Sequence, residues 1–214
     1  RFFVSALTVD SAGRDTTIGA VGFGEHFGIV RRETHAGLGW QVGISGAVFA
    51  QFDLEAPSSD LINADYVIGL PLTWRRGDWS GRLRLYHQSS HLGDEYLLRV
   101  QPQRQNLSFE AVEAIVAYDF GGLRVYGGGE SLFDRDPTDL GKALLHAGLD
   151  WRGREVAFRL GDLGGARWVA GLDLKRWEQN DWALQLNAKA GLEFAPLADA
   201  GREGRHWNAL LEFY

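Results

Sequence analysis

Regular alternation of apolar and polar side chains is the feature that most constrains the fold of this chain. Over residues 38–52 the even positions are mostly large and apolar, whereas the odd positions are mostly glycine, serine, alanine or glutamine. The same period of two returns over residues 61–74, 184–194 and 207–213. This period is that of a β-strand whose two faces meet different surroundings. The sequence therefore predicts an all-β fold of amphipathic, antiparallel strands.

The predicted strands are long enough to cross a lipid bilayer. Similar segments occur near residues 79–91, 107–119, 123–133, 142–151 and 166–177. All have about ten residues or more, the length that a tilted strand needs to cross the hydrocarbon layer. The chain has no run of about 18 apolar residues, so a membrane-spanning helix is excluded.

The connections and the tryptophans favour a membrane barrel over a soluble sandwich, in which strands also alternate. Short links at residues 75–78, 120–122 and 152–154 alternate with longer ones at 53–60, 92–106 and 134–141. That asymmetry is typical of outer-membrane barrels. Six tryptophans are predicted at strand ends on the short-link side, and two flank a connection on the other: Trp40, Trp74, Trp79, Trp151, Trp168 and Trp207, then Trp177 and Trp182. Two such groups indicate two membrane interfaces.

We therefore expect one domain over residues 1–214, an antiparallel transmembrane β-barrel of a bacterial outer membrane. The strand directions predict about twelve strands when the barrel is complete, with the last one missing from this chain. A net charge of −6 disfavours nucleic acid as a partner, and the absence of cysteine excludes disulfides and thiolate metal sites. The expected partners are outer-membrane lipid or lipopolysaccharide, and a protein could dock on the long loops.

The polar strand face carries charges of both signs, which on this interpretation fill the interior of the barrel. Paired ions are the expected arrangement, and a selective pore is the alternative. The interior residues are predicted to be Asn63, Asp65, Arg82, Arg84, Arg124, Glu130, His146, Asp150, Asp173, Lys175, Lys189, Glu193 and Glu212.

One predicted strand carries residues with catalytic chemistry on its lipid-facing side. His87 and Ser89 are two residues apart, which separates them by about 6.6 Å along a strand. A serine hydroxyl becomes a useful nucleophile when a base such as imidazole accepts its proton. If the following loop is symmetric, Glu110 lies opposite His87 and would orient the imidazole. The predicted catalytic residues are thus Ser89, His87 and Glu110.

The run His87-Gln88-Ser89 resembles the His-x-Ser element of outer-membrane phospholipase A and of the lipid A deacylases. That resemblance implies a Ser/His acyl hydrolase site on the barrel exterior, although Ser90 stands where those families usually have Asn. A broader resemblance covers residues 52–72 and 86–99. These stretches are similar to a family of uncharacterised bacterial proteins, a domain of unknown function predicted to reside in the outer membrane. Its motifs here are Ala56-Pro57-Ser58, Asn63-Ala64-Asp65-Tyr66 and the run from His87 to Glu95.

Three functions remain open from the sequence: a serine acyl-ester hydrolase acting on phospholipid or lipid A, a small transport or pore protein, and a structural or partner-binding barrel. No cofactor is required by any of them. Asp94 and Glu95 could bind calcium or could be solvated loop acids, and the second alternative is favoured. A metal pair of His87 and His91 is disfavoured, because four residues along a strand span about 13 Å.

Overall fold

The computed structural model describes residues 2–11, 14–34, 37–102, 107–159, 164–195 and 207–213. Within these ranges the chain forms twelve strands of one antiparallel sheet. The order follows the chain from β1 to β8 and then continues through β10, β11 and β12, while the two-residue β9 pairs with β10. The predicted all-β, antiparallel fold is confirmed, and the count of about twelve strands was predicted for the complete barrel.

Most strands are longer than ten residues. They are β1 (Phe2–Ser11), β2 (Arg14–Glu33), β3 (Leu38–Asp53), β4 (Leu61–Arg76), β5 (Trp79–Leu92), β6 (Leu107–Phe120), β7 (Leu123–Asp136), β8 (Ala143–Arg152), β9 (Phe158–Arg159), β10 (Gly165–Trp177), β11 (Leu184–Ala195) and β12 (Trp207–Phe213). One helix, α1 (Asp94–Val100), follows β5, and a 3-10 turn occupies Glu178–Asn180. No helix in the described part of the chain is long and apolar enough to span a membrane.

The chain divides into two compact units. The first comprises Arg1–Trp74, Arg82–Glu113 and Ser131–Lys142, and the second comprises Arg75–Gly81, Ala114–Glu130 and Ala143–Tyr214. In the first unit β2 pairs with β1 and with β3, and its register with β3 shifts between Gly28 and Val30. In the second unit β10 pairs with β8, β9 and β11. The prediction of a single domain stays a prediction.

The alternation in the sequence matches an alternation in exposure. In the first unit Ile44 is 42% exposed and Ile68 is 59% exposed, and in the second Leu186 is 47% exposed. Positions on the other strand faces are buried, among them Ala111 and Glu113 in the first unit and Ala117 in the second. Many large apolar side chains thus lie on the exposed face, whereas the buried positions hold small and charged side chains together with a few large ones such as Tyr86 and Phe109. A soluble protein core has the opposite arrangement.

Several charged side chains on the polar strand face form pairs, the arrangement expected for that face. In the second unit Lys189 Nζ lies 2.6 Å from Glu212 Oε1, and the Tyr126 hydroxyl donates to Asp173 Oδ1 at 2.8 Å. Arg152 pairs with Glu193 in the same unit. Ion pairing of this kind satisfies charges that would be costly to bury alone.

Two predicted connections differ from the structure. The predicted short link at residues 152–154 is wrong, because β8 ends at Arg152 and β10 begins at Gly165. Residues 153–159 run along β10, where Gly153 N donates to Trp168 O and β9 extends the pairing. The loop predicted at residues 92–106 contains α1, and its residues 103–106 lie outside the described residues. The tight turns after β4 and β6 are confirmed, with Gly77 and Gly121 at positive φ.

Candidate functional site

Contacts between β5 and β6 bring His87 and Glu110 together. The imidazole Nδ1 of His87 lies 2.8 Å from Glu110 Oε1. The two side chains are 39% and 36% exposed, so the pair borders the surface. Arg84, three residues before His87 on β5, contacts Glu113, three residues after Glu110 on β6. These contacts fit one antiparallel register, with His87 and Glu110 on the exposed face and Arg84 and Glu113 on the buried face.

The orientation of the His87 ring follows from its contact with Glu110. A carboxylate at Nδ1 favours the tautomer in which Nδ1 carries the proton and Nε2 is the free base. The structure thus brings together the base and the orienting acid of the three predicted site residues. This constellation has the chemistry of a base that accepts a proton from a nearby nucleophile.

Ser89 lies two residues after His87 on the same face and is half-buried. Its hydroxyl has no hydrogen-bond partner among the described residues, so its predicted contact with His87 is not formed in this structure. Catalytic hydrogen bonds are often long in enzymes without substrate. The register set by His87 and Glu110 places Ser108 of β6 opposite Ser89.

Two contacts between β4 and β5 flank the site, one on each face of the sheet. On the buried face the Ser90 hydroxyl donates to Asp65 Oδ1, which also accepts from Asn63 Nδ2 at 2.7 Å. On the exposed face the rings of Tyr66 and His91 meet edge to face, with centroids 5.7 Å apart. Ser90 and Ser89 therefore lie on opposite faces, and of the two hydroxyls only that of Ser90 has a hydrogen-bond partner among the described residues.

Behind the exposed pair, a buried cluster fixes the β5–β6 contact. Glu113 is 2% exposed and accepts from Arg82 Nε at 2.6 Å and from Arg84 Nη2 at 2.8 Å. The guanidinium of Arg84 also lies over the Tyr86 ring, 4.2 Å from its centroid. Sequence analysis placed both arginines on the polar face but missed Glu113. In β6 the exposed side chains occupy even-numbered positions, whereas Glu113 occupies an odd-numbered one. This parity would have assigned Glu113 to the buried face.

Beyond the strand ends, a polar cluster ties α1 to the loop before β4. Arg99 Nε donates to Asp60 Oδ2 at 2.6 Å, and Arg99 Nη2 donates to Asp53 Oδ2 at 2.7 Å. Ser58 also donates to Asp60, at 2.7 Å. The Ser58 hydroxyl and the Arg99 guanidinium hold the pKa of Asp60 below its ordinary value, and the two aspartates raise the pKa of Arg99. We name Asp53, Ser58, Asp60 and Arg99 the Arg99 cluster.

Asp94 and Glu95, the predicted calcium alternative, are exposed in the first turn of α1. Acidic side chains there interact favourably with the helix N-terminus, which accounts for them without a metal. His87 and His91 each contact a different residue, Glu110 and Tyr66.

Comparison with known proteins gives a family and no close relative of known activity. No curated protein and no solved structure matches the chain. One family model, described as a protein of unknown function (DUF1207), matches residues 7–214. That match covers nearly the whole chain, and the chain therefore belongs to the DUF1207 family.

Proposed function

We propose that this chain forms the wall of a bacterial outer-membrane β-barrel and hydrolyses acyl esters of membrane lipids at Ser89, His87 and Glu110. The observation that carries the catalytic part is the 2.8 Å contact between His87 Nδ1 and Glu110 Oε1 on the exposed strand face. An imidazole oriented by a carboxylate beside a serine is the arrangement that activates a hydroxyl for acyl transfer.

Support for the membrane setting comes from exposed apolar side chains on both sides of the site. On β5 Leu83 and Leu85 are 48% and 46% exposed, and on β6 Val112 is 38% exposed. On β4 Ile68 and Leu70 are 59% and 54% exposed. Apolar strand faces of this kind are stable against acyl chains, and the polar residues at their edge would lie near the ester groups.

The reaction consists of two acyl transfers. The Ser89 hydroxyl oxygen attacks the ester carbonyl carbon while His87 Nε2 takes its proton, and the tetrahedral intermediate collapses as the bond to the alcohol oxygen breaks. His87 then gives its proton to the departing lysolipid. Water, deprotonated by His87, attacks the acyl-serine and releases the fatty acid, and the proton returns to Ser89. Glu110 stabilises the imidazolium formed in both steps.

The test is release of fatty acid by the full chain reconstituted in vesicles of bacterial phospholipid and lipopolysaccharide. We expect release by the wild type and a loss of about 10³-fold or more in Ser89→Ala, because the nucleophile is removed. Folding is checked in each variant by the mobility of unheated samples in gel electrophoresis.

Ser90→Ala is the matched control, since it removes the neighbouring hydroxyl from the opposite strand face. It should retain fatty acid release. Equal release by Ser89→Ala and the wild type, or no release by the folded wild type, contradicts the proposed hydrolase.

A further inference from the structure

The exposed face around the His87–Glu110 pair has an unusual charge composition. Over the described residues 61–74, 82–91 and 107–113, the exposed-face positions of β4, β5 and β6 include no lysine or arginine. Their one carboxylate is Glu110, and their nitrogen bases are the imidazoles of His87 and His91. A phosphate group is bound in proteins chiefly by guanidinium and ammonium groups. This face therefore lacks the side chains that recognise an anionic head group.

Among the described residues, the arginines close to the site in sequence are engaged elsewhere. Arg82 and Arg84 lie on the buried face and contact Glu113 at 2.6 and 2.8 Å. Arg99 is held by Asp53 and Asp60 in the Arg99 cluster. Their charges are thus compensated by carboxylates.

An ammonium group, by contrast, finds favourable partners on this face. Glu110 is 36% exposed and supplies a carboxylate. Tyr66 is 47% exposed, and its ring has the negative face that attracts cations. Both residues flank the strand that carries His87 and Ser89, so a lipid whose ester reaches Ser89 places its head group near them.

From these charges we infer that the site prefers glycerophospholipids with an ammonium head group over anionic phospholipids and over phosphate-bearing lipid A. This inference rests on the proposed hydrolase and names its substrate class. The preference arises because an anionic head group approaches the carboxylate of Glu110 with no lysine or arginine on the described exposed face to compensate it, whereas an ammonium is attracted there. One partly screened charge near a surface accounts for a preference of about five- to tenfold.

The experiment compares vesicles of phosphatidylethanolamine and of phosphatidylglycerol with the same acyl chains, each diluted in the same neutral matrix. The full-length wild type is expected to release fatty acid about five- to tenfold faster from phosphatidylethanolamine, and the ratio should shrink as salt is raised. A third set of vesicles, containing lipid A, is expected to react no faster than those with phosphatidylglycerol.

Glu110→Gln separates head-group selection from catalysis. It should slow hydrolysis of both phospholipids, because the His87 imidazole loses its orienting carboxylate, and it should also bring their ratio close to one. Glu33→Gln is the matched control, since Glu33 is an exposed carboxylate paired with Arg31, and it should leave the ratio unchanged.

The outcomes separate the two proposals. Hydrolysis of both lipids at equal rates, or faster hydrolysis of phosphatidylglycerol or lipid A, overturns the inference and leaves the hydrolase standing. An unchanged ratio in Glu110→Gln also overturns the inference. No hydrolysis of any of the lipids overturns the hydrolase and the inference with it.

Discussion

At the scale of single residues, Glu113 of the first unit is a buried carboxylate whose charge must be compensated by its neighbours. Its carboxylate is 2% exposed and is held by Arg82 and Arg84, with the Arg84 guanidinium stacked on Tyr86. A buried carboxylate is tolerable only while its charge is compensated, and the same holds for the guanidinium groups that it neutralises. The contact between β5 and β6 therefore depends on this residue.

Glu113→Gln should lower the free energy of unfolding by about 3 kcal/mol, the lower end of the usual cost of breaking a buried ion pair. The lower end applies because Arg82 is 42% exposed and partly regains its hydration. The measurement is denaturant unfolding in lipid vesicles, followed by tryptophan fluorescence. Glu33→Gln, at an exposed ion pair, should change stability by less than about 1 kcal/mol. Equal stabilities of the two variants would show that the Glu113 cluster contributes little.

The residues of the candidate site differ in how far sequence could predict them. The contact between His87 and Glu110 was expected from parity and from a symmetric connection, and the structure has it. The position of the Ser89 hydroxyl depends on a side-chain rotation that parity does not determine. Glu113 was not among the predicted interior residues, although an acid on the same face is needed to neutralise the arginines of β5.

At the scale of elements, α1 and the loop before β4 form the least predictable part of the first unit. No side chain caps the helix, which begins after Gly93, and it ends at Gln101 in the left-handed conformation. Seven residues are too few to show a helical period, so the segment was predicted only as a loop. Its position is instead set by the Arg99 cluster, in which Arg99 of the helix contacts Asp60, 39 residues away in sequence.

The Arg99 cluster should make α1 sensitive to acid. The pKa of Asp60 is lowered in the folded chain from its ordinary value of 3.8, so the stabilisation that this carboxylate provides is complete above that pH. It is lost as the pH falls below 3.8 toward the folded-state pKa. We expect pepsin cleavage at Leu97 and Leu98 to accelerate over this range in the wild type.

Asp60→Asn removes the titrating group and supplies the reference for the activity of pepsin itself. At pH 5 the variant should be cleaved faster than the wild type, and at pH 2 the two rates should converge. A constant ratio of the two rates across this range would mean that Asp60 does not hold α1 in place.

At the scale of the whole molecule, the period of two in the sequence accounts for most of the fold. It predicted the positions of β3 to β8 and of β10 to β12, whose apolar and polar residues alternate, as seen for Ile44, Ile68 and Leu186. The positions of β1, β2 and β9 were not predicted. The course of residues 153–159 was not predicted, because it depends on pairing with β10 rather than on a local pattern. Membrane location stays a prediction, because it depends on whether lipid covers the exposed apolar face.

The most direct test of the account replaces single residues of β4 and β5 by cysteine in a chain that has none of its own. Spin labels at Ile68, Leu70 and Leu85, on the exposed face, are compared in vesicles with a label at Val67 on the other face. The account predicts that oxygen reaches the first three labels and that a water-soluble nickel complex does not, as expected in acyl chains. The label at Val67 should not share this pattern of accessibility. Free access of the nickel complex to Ile68, Leu70 and Leu85 would contradict it.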